Sequence, residues 1–215
     1  MTGSFGVKSV APASLATTLS WFEEIILMEA NEKESIAQLT RQYGGEWGIN
    51  HTSRLLHIIE EIGEGLPYDK DIVWMAAHLH DWGAYAPWQK EGVDHAVRSV
   101  EVAGDFLADR GYPEPFIQAV LDCIRTHHQG DPNRRIEAVL LSDADSVDFL
   151  GVVGILREFS KNPKEMRKAY NAVLKRKASV PANICLEKSR QLGASRIKEM
   201  ERVLSIFLEE TYQQF

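Results

Sequence analysis

The sequence predicts an all-α protein. Three observations carry this expectation. Apolar residues recur at helical spacing through most of the chain, the alternation of a half-buried strand is nearly absent, and the breaks between periodic segments fall at glycine and proline. At 215 residues, 44% of them hydrophobic, the chain can bury a sizeable core and fits one domain more easily than two.

Residues 1–12, with Gly3, Gly6 and Pro12, read as an N-terminal arm, and residues 13–215 as a single helical domain. Helical periodicity marks segments at about 13–30, 32–43, 50–64, 69–82, 92–110, 114–128, 134–150, 151–160, 163–178 and 182–213. Gly44-Gly45, Gly63 with Gly65-Leu66-Pro67, Gly111-Tyr112-Pro113 and Gly130-Asp131-Pro132 are turn or C-cap signals between them. Asn162-Pro163 and Val180-Pro181 suit helix starts, because proline at the first helical position forfeits no intrahelical hydrogen bond. The last segment carries an apolar stripe of Ile184, Leu192, Ile197, Met200, Leu204 and Phe207, read as core packing ahead of a dimer seam because it lacks a sustained heptad. Monomer and homodimer both remain open.

The net charge of −7 argues against a duplex nucleic-acid partner, which requires a phosphate-neutralising basic surface. An anionic small substrate would need local cations, most simply bound metal. Cys123 and Cys185 form no CxxC pair and suit a reducing cytoplasm rather than a disulfide framework. The stretch from Val7 to Phe22 is too broken by Ser, Thr and Pro for a signal peptide. No apolar run approaches the ~20 residues of a spanning helix, so no membrane partner is expected.

The chemical signal lies in the histidines. All seven fall between His51 and His128, and two stand in the apolar stretch Ala77-His78-Leu79-His80-Asp81-Trp82. A single histidine on an apolar helix is commonly structural, but several beside carboxylates form the donor set of Mn, Fe, Co, Ni or Zn. On a helix, His80 and Asp81 would diverge by about 100° and could both reach a metal between them. Five elements occur in order: His51-Thr-Ser-Arg54-Leu55-Leu56, Met75 to Asp81, Asp94-His95-Ala96-Val97-Arg98-Ser99, Ile124-Arg125-Thr126-His127-His128 and Leu141 to Asp148 with Asp143 and Asp145.

These elements resemble the HD superfamily of metal-dependent phosphohydrolases over about residues 50–150. The resemblance implies an HD-type helical bundle with one divalent metal held by His51, His80, Asp81 and Asp145, Asp145 being preferred to Asp143. It also implies that Asp81 bridges to a second metal held by His95 and His127 or His128, with His127 the first choice. His57 and His78 fall off the ligand face. Asp81 and His80 would then be the catalytic pair, and metal-activated hydroxide would hydrolyse a nucleotide or another small phosphorylated compound. Arg54 and Lys90 are candidate phosphate anchors. Trp82, Tyr85 and Trp88 are read as core. Gly111-Tyr112-Pro113 precedes the His pair, whereas cyclic-dinucleotide phosphodiesterases of the superfamily carry that tripeptide after it. Two alternatives stand beside this reading: a diiron oxygenase of the same fold, similar to myo-inositol oxygenase, and a non-catalytic helical binding module that keeps metal for structure.

Overall fold

The computed structural model describes residues 15–129 and 131–215, with side chains from residue 30 onward. The N-terminal arm expected at 1–12 lies outside the described residues. Contacts group the chain into two units, Met1–Leu39 and Thr40–Phe215. The described part of the first is helix, and the second holds the remaining elements.

Every regular element among the described residues is helical. Helix α1 (Leu15–Ile62) takes in the first three segments of the sequence reading. Gly44-Gly45 still leaves its mark as a kink, because Gly45 adopts φ 64°, a left-handed conformation that a Cβ would disfavour. Then follow α2 (Lys70–Leu79), a 3₁₀ turn (Trp82–Ala84), α3 (His95–Asp109), α4 (Glu114–Thr126) and α5 (Ile136–Asp148). The remaining elements are α6 (Gly151–Lys161), α7 (Met166–Ser179), a second 3₁₀ turn (Val180–Asn183) and α8 (Glu187–Glu210).

Helix starts follow local chemistry. Asp69 caps α2 by accepting from the amides of Asp71 and Ile72, and Asp94 caps α3 through Ala96 and Val97. Helix α5 is buried on nearly every face and runs through the centre of its unit, contacting α2, α4 and α8. Its Leu140 and Leu141 are fully buried, as are Leu55, Ile62, Leu79, Leu107, Ile124, Leu150 and Met200 elsewhere in the unit. The apolar stripe of α8 packs on α5 and α6, with Met200 and Leu204 buried.

Three boundaries differ from the sequence reading. Helix α2 ends at Leu79 and not near 82, leaving His80 as its cap and Asp81 outside it. Asn162-Pro163 forms a turn closed by Glu165 N–H donating to Asn162 O, and α7 begins only at Met166. Val180-Pro181 opens the second 3₁₀ turn, and α8 starts at Glu187. Its N-terminus is held from outside, since the Asp143 carboxylate accepts from the amides of Cys185 and Leu186 at 2.8 and 2.7 Å. Asp143 thus faces α8, the opposite direction from Asp145.

Candidate metal centre

Helix ends assemble the site. His80 and His127 cap the C-termini of α2 and α4, His95 opens α3, Asp145 lies in α5 and His51 in α1. A helix C-terminus carries partial negative charge, so two of these side chains stand where a cation is favoured. The approach of α3 depends on Gly83. A Cβ there would lie 2.4 Å from His95 O and 2.4 Å from Ser99 N, and the Gly83 amide donates to Ser99 Oγ at 2.8 Å. The missing side chain lets the turn after Asp81 lie against the first turn of α3.

The imidazoles are oriented individually. His80 Nδ1 bonds Ala77 O at 2.9 Å, and His127 Nδ1 bonds Ile124 O at 2.6 Å. Both carbonyls lie three residues back in a last helical turn, where they lack intrahelical N–H partners. His51 Nδ1 bonds Asp148 Oδ2 at 2.8 Å. A carbonyl or carboxylate only accepts, so each Nδ1 carries a proton, and in the neutral ring each Nε2 presents a lone pair. These three Nε2 atoms and Asp145 Oδ1 are buried without a hydrogen-bond partner. His51 Nε2 lies 3.3 Å from Asp145 Oδ1 and 3.8 Å from Asp81 Oδ2, and His80 Nε2 lies 3.6 Å from Asp81 Oδ2. Donor atoms ~2.1 Å from one ion in tetrahedral or octahedral array stand ~3.0–3.4 Å apart, so a small closure would suit a first-row metal.

The other oxygen of Asp81 faces a second group. Asp81 Oδ1 is 3.6 Å from His95 Nε2, and His95 Nε2 is 3.0 Å from His128 Nε2. His51, His80 and Asp81 form one candidate ligand cluster and His95, His127 and His128 another. The helical divergence expected of His127 and His128 does not arise, because α4 ends at Thr126 and both rings fall beyond it. Their centroids are 5.9 and 4.9 Å from that of His95. His127 is buried and His128 exposed.

The electrostatics suit a divalent ion. Burial works against the charge of Asp145, yet the close approach and charge of His51 hold its carboxyl far below the usual carboxylate range. Burial likewise opposes the charge of Asp81, but His80 and His51 bring its carboxyl below the ordinary value. His51 is pushed up to about 9: burial opposes its charged form, and Asp145, Asp148 and Asp81 outweigh burial. His127 is lowered to about 4, chiefly by burial, with His80 adding to the effect.

Behind His51 lies a group that the sequence reading left without a role. Asp148, fully buried, accepts from Arg54 Nε at 2.7 Å, Arg54 Nη2 at 2.9 Å and Arg157 Nη1 at 2.8 Å. The Arg157 guanidinium stacks over Trp47 and Phe149, and the Trp47 ring lies 5.6 Å from that of His51. Asp148 follows Asp145 by three residues, a spacing that places both on one helix face and was available as a signal. Arg157 lies beyond the motif region in a segment that showed only amphipathic periodicity. Nothing in the sequence marked it.

Of the two phosphate-anchor candidates, Arg54 is one-third exposed and lines a cleft of about 340 Å³ between α1 and α6, together with Trp47, Asn50, Leu156 and Arg157. Lys90 pairs with Glu101 at 3.5 Å on the surface. His57 is exposed, while His78 is buried, stacked on Trp74 and bonded to Trp74 O. Trp82, stacked on Trp88 and edge-on to Phe106, and Tyr85, packed against Gly44 and Gly48, are core residues.

This combination of an all-helical fold and a histidine–aspartate centre defines a class, and comparison with known proteins agrees. Residues 48–150 match the family model of the HD domain, and this segment is an HD domain. Among solved structures, a predicted HD superfamily hydrolase from an uncultured Thermotogales bacterium is similar at 25% identity and TM-score 0.60, over 84% of this chain and 91% of that one. Bacillus subtilis YpgQ in complex with ADP is similar at 22% identity and TM-score 0.66, over 85% of this chain and 96% of that one. An HD-superfamily hydrolase from Bacillus thuringiensis is similar at 21% identity and TM-score 0.62, over 86% and 99%. No curated protein matches the chain. No helix among the described residues is long and apolar enough to cross a membrane.

Proposed function

We propose that this chain is a metal-dependent phosphohydrolase acting on a nucleotide or another small phosphorylated compound. In this reading, His51, His80, Asp81 and Asp145 hold one divalent transition metal, and Asp81 with His95, His127 and His128 holds a second. One observation carries it: three imidazole Nε2 atoms and a carboxylate oxygen converge in a buried site, with His51 Nε2 3.3 Å from Asp145 Oδ1. Buried acceptors gathered in this way incur a large desolvation cost unless a cation joins them.

When bound, a divalent metal supplies Lewis acidity toward a phosphoryl oxygen and brings the acidity of water toward neutral pH. The chain supplies the rest. Asp81, whose side chain is 14% exposed, is the more accessible of the two cluster carboxylates and turns Oδ2 toward His51 and His80 and Oδ1 toward His95, so it can join the two groups of ligands. His80, locked by Ala77 O, keeps its Nε2 lone pair turned inward. Arg54, at the edge of the α1–α6 cleft, is better placed than Lys90 to meet an anionic substrate. The nucleotide class is supported by the ADP bound in the YpgQ structure, a protein alike in fold.

The test is phosphate release from a panel of nucleoside mono-, di- and triphosphates and sugar phosphates by wild type and Asp81→Ala. Release that requires added Mn²⁺, Co²⁺ or Zn²⁺ and is lost in the variant is the expected result. Metal-loaded protein that releases no phosphate from any compound overturns the reading. Tightly held iron with oxygen uptake on a polyol would then select the oxygenase, and unfolding on metal removal the structural-metal module.

A further inference from the structure

His51 differs from the other two buried ligand candidates in how its ring is held. His80 and His127 sit at helix C-caps, so each Nδ1 reaches a carbonyl that the helix has left free. His51 stands within α1, where the neighbouring carbonyls are engaged by helical amides. Its Nδ1 therefore needs an acceptor from another element, and α5 provides Asp148 at 2.8 Å.

We propose that Asp148 is a positioning residue of the metal centre, fixing the tautomer and aim of His51 so that Nε2 faces the metal. The inference rests on the metal-site reading above. Asp148 is itself immobilised: Arg54 binds it through two nitrogens and Arg157 through a third, and no water-accessible surface remains on it. Two guanidinium groups keep the carboxylate ionised and therefore acceptor-only, so the His51 proton stays on Nδ1. Both arginines line the α1–α6 cleft, so the support of His51 runs from that cleft to the centre in three side chains. Asp145 and Asp148, one helical turn apart on α5, divide the work: the first faces Nε2 and the second Nδ1.

The experiment compares Zn²⁺ affinity, measured against a competing chelator, in wild type, His51→Ala and Asp148→Asn. The asparagine keeps the volume but can donate to Nδ1 and so admits the wrong tautomer. Loss of a partner behind a metal-binding histidine costs roughly 10–100-fold in affinity, and that fall is expected in Asp148→Asn. A long-range ¹H–¹⁵N spectrum of the zinc-loaded protein adds a readout that a purely structural role would not move. Wild type should show a protonated His51 Nδ1 and a coordinated Nε2, and the variant should lose that pattern. Asp148→Asn strips the charge partner from buried Arg157 and from one-third-exposed Arg54, so Asp148→Asn/Arg157→Met, with less excess charge, is measured alongside and should show the same loss. Either variant, folded and within twofold of wild-type affinity while His51→Ala loses zinc, overturns the role of Asp148 and leaves the metal site standing. Wild type that binds no zinc overturns both.

Discussion

Proton and metal compete for the same atom of His51, and the competition sets a measurable pH dependence. Nδ1–H is engaged by Asp148, so a second proton must enter at Nε2, against Asp145 Oδ1 at 3.3 Å. With the ring raised to about 9, only about one molecule in a hundred presents a free Nε2 at pH 7. Metal affinity should therefore rise about tenfold per pH unit from pH 7 to pH 9 and level off above, a span of about 2.7 kcal/mol. The metal-free protein should behave in the opposite sense. The folded value lies above the unfolded value of 6.5, so this contribution to stability is fully present below pH 6.5 and is lost as pH rises through about 9. The assay is chelator-competition titration of Co²⁺ at half-unit steps from pH 6 to 9.5, with thermal unfolding of metal-free protein in the same buffers. Affinity that stays flat between pH 7 and 9 would refute the placement of His51 among the carboxylates.

Other expectations follow from single contacts. Gly83→Ala sets a Cβ against two backbone atoms of α3 and should cost about 1–3 kcal/mol in thermal unfolding, with the second metal weakened more than the first as His95 is displaced. Asp143→Ala strips the acceptor from the amides of Cys185 and Leu186 and should lower stability by about 1–3 kcal/mol in denaturant titration without loss of metal, whereas Asp145→Ala should lose metal and keep its fold. His127→Ala and His128→Ala should both weaken the second metal in a two-site titration, His127→Ala more, because its ring is buried and its orientation is fixed by Ile124 O. Metal-free protein should also lose stability in thermal unfolding as pH falls from 6.5 toward 4, where burial resists protonation of His127.

What the sequence made legible was the periodic and the chemical. Helical spacing marked ten segments, of which seven stand near α2 to α8 and the first three run together as α1, because amphipathic periodicity records which face is buried. The clustered histidines marked the candidate centre, where the structure gathers His51, His80 and Asp81 in one group and His95, His127 and His128 in another. The boundaries were less readable where tertiary contact decided them. Helix α2 stops at Leu79, and the turn after Asp81 is held by Ser99 Oγ, 16 residues further along. The start of α8 is held by Asp143, more than 40 residues earlier. The support behind His51 was hidden for a similar reason: Arg157 joins Asp148 and Trp47 only once α6 folds back along α1. A lone arginine in an amphipathic segment carries no sign of that.

The central claim is that His51, His80, Asp81 and Asp145 enclose a metal. Elemental analysis of protein stripped with chelator, reloaded with Mn²⁺, Co²⁺ or Zn²⁺ and desalted tests it most directly, with Asp145→Ala beside wild type. One or two ions retained per chain in wild type, and at least one fewer in the variant, is the predicted result. Wild type and variant that retain the same number of ions, or none, would contradict it.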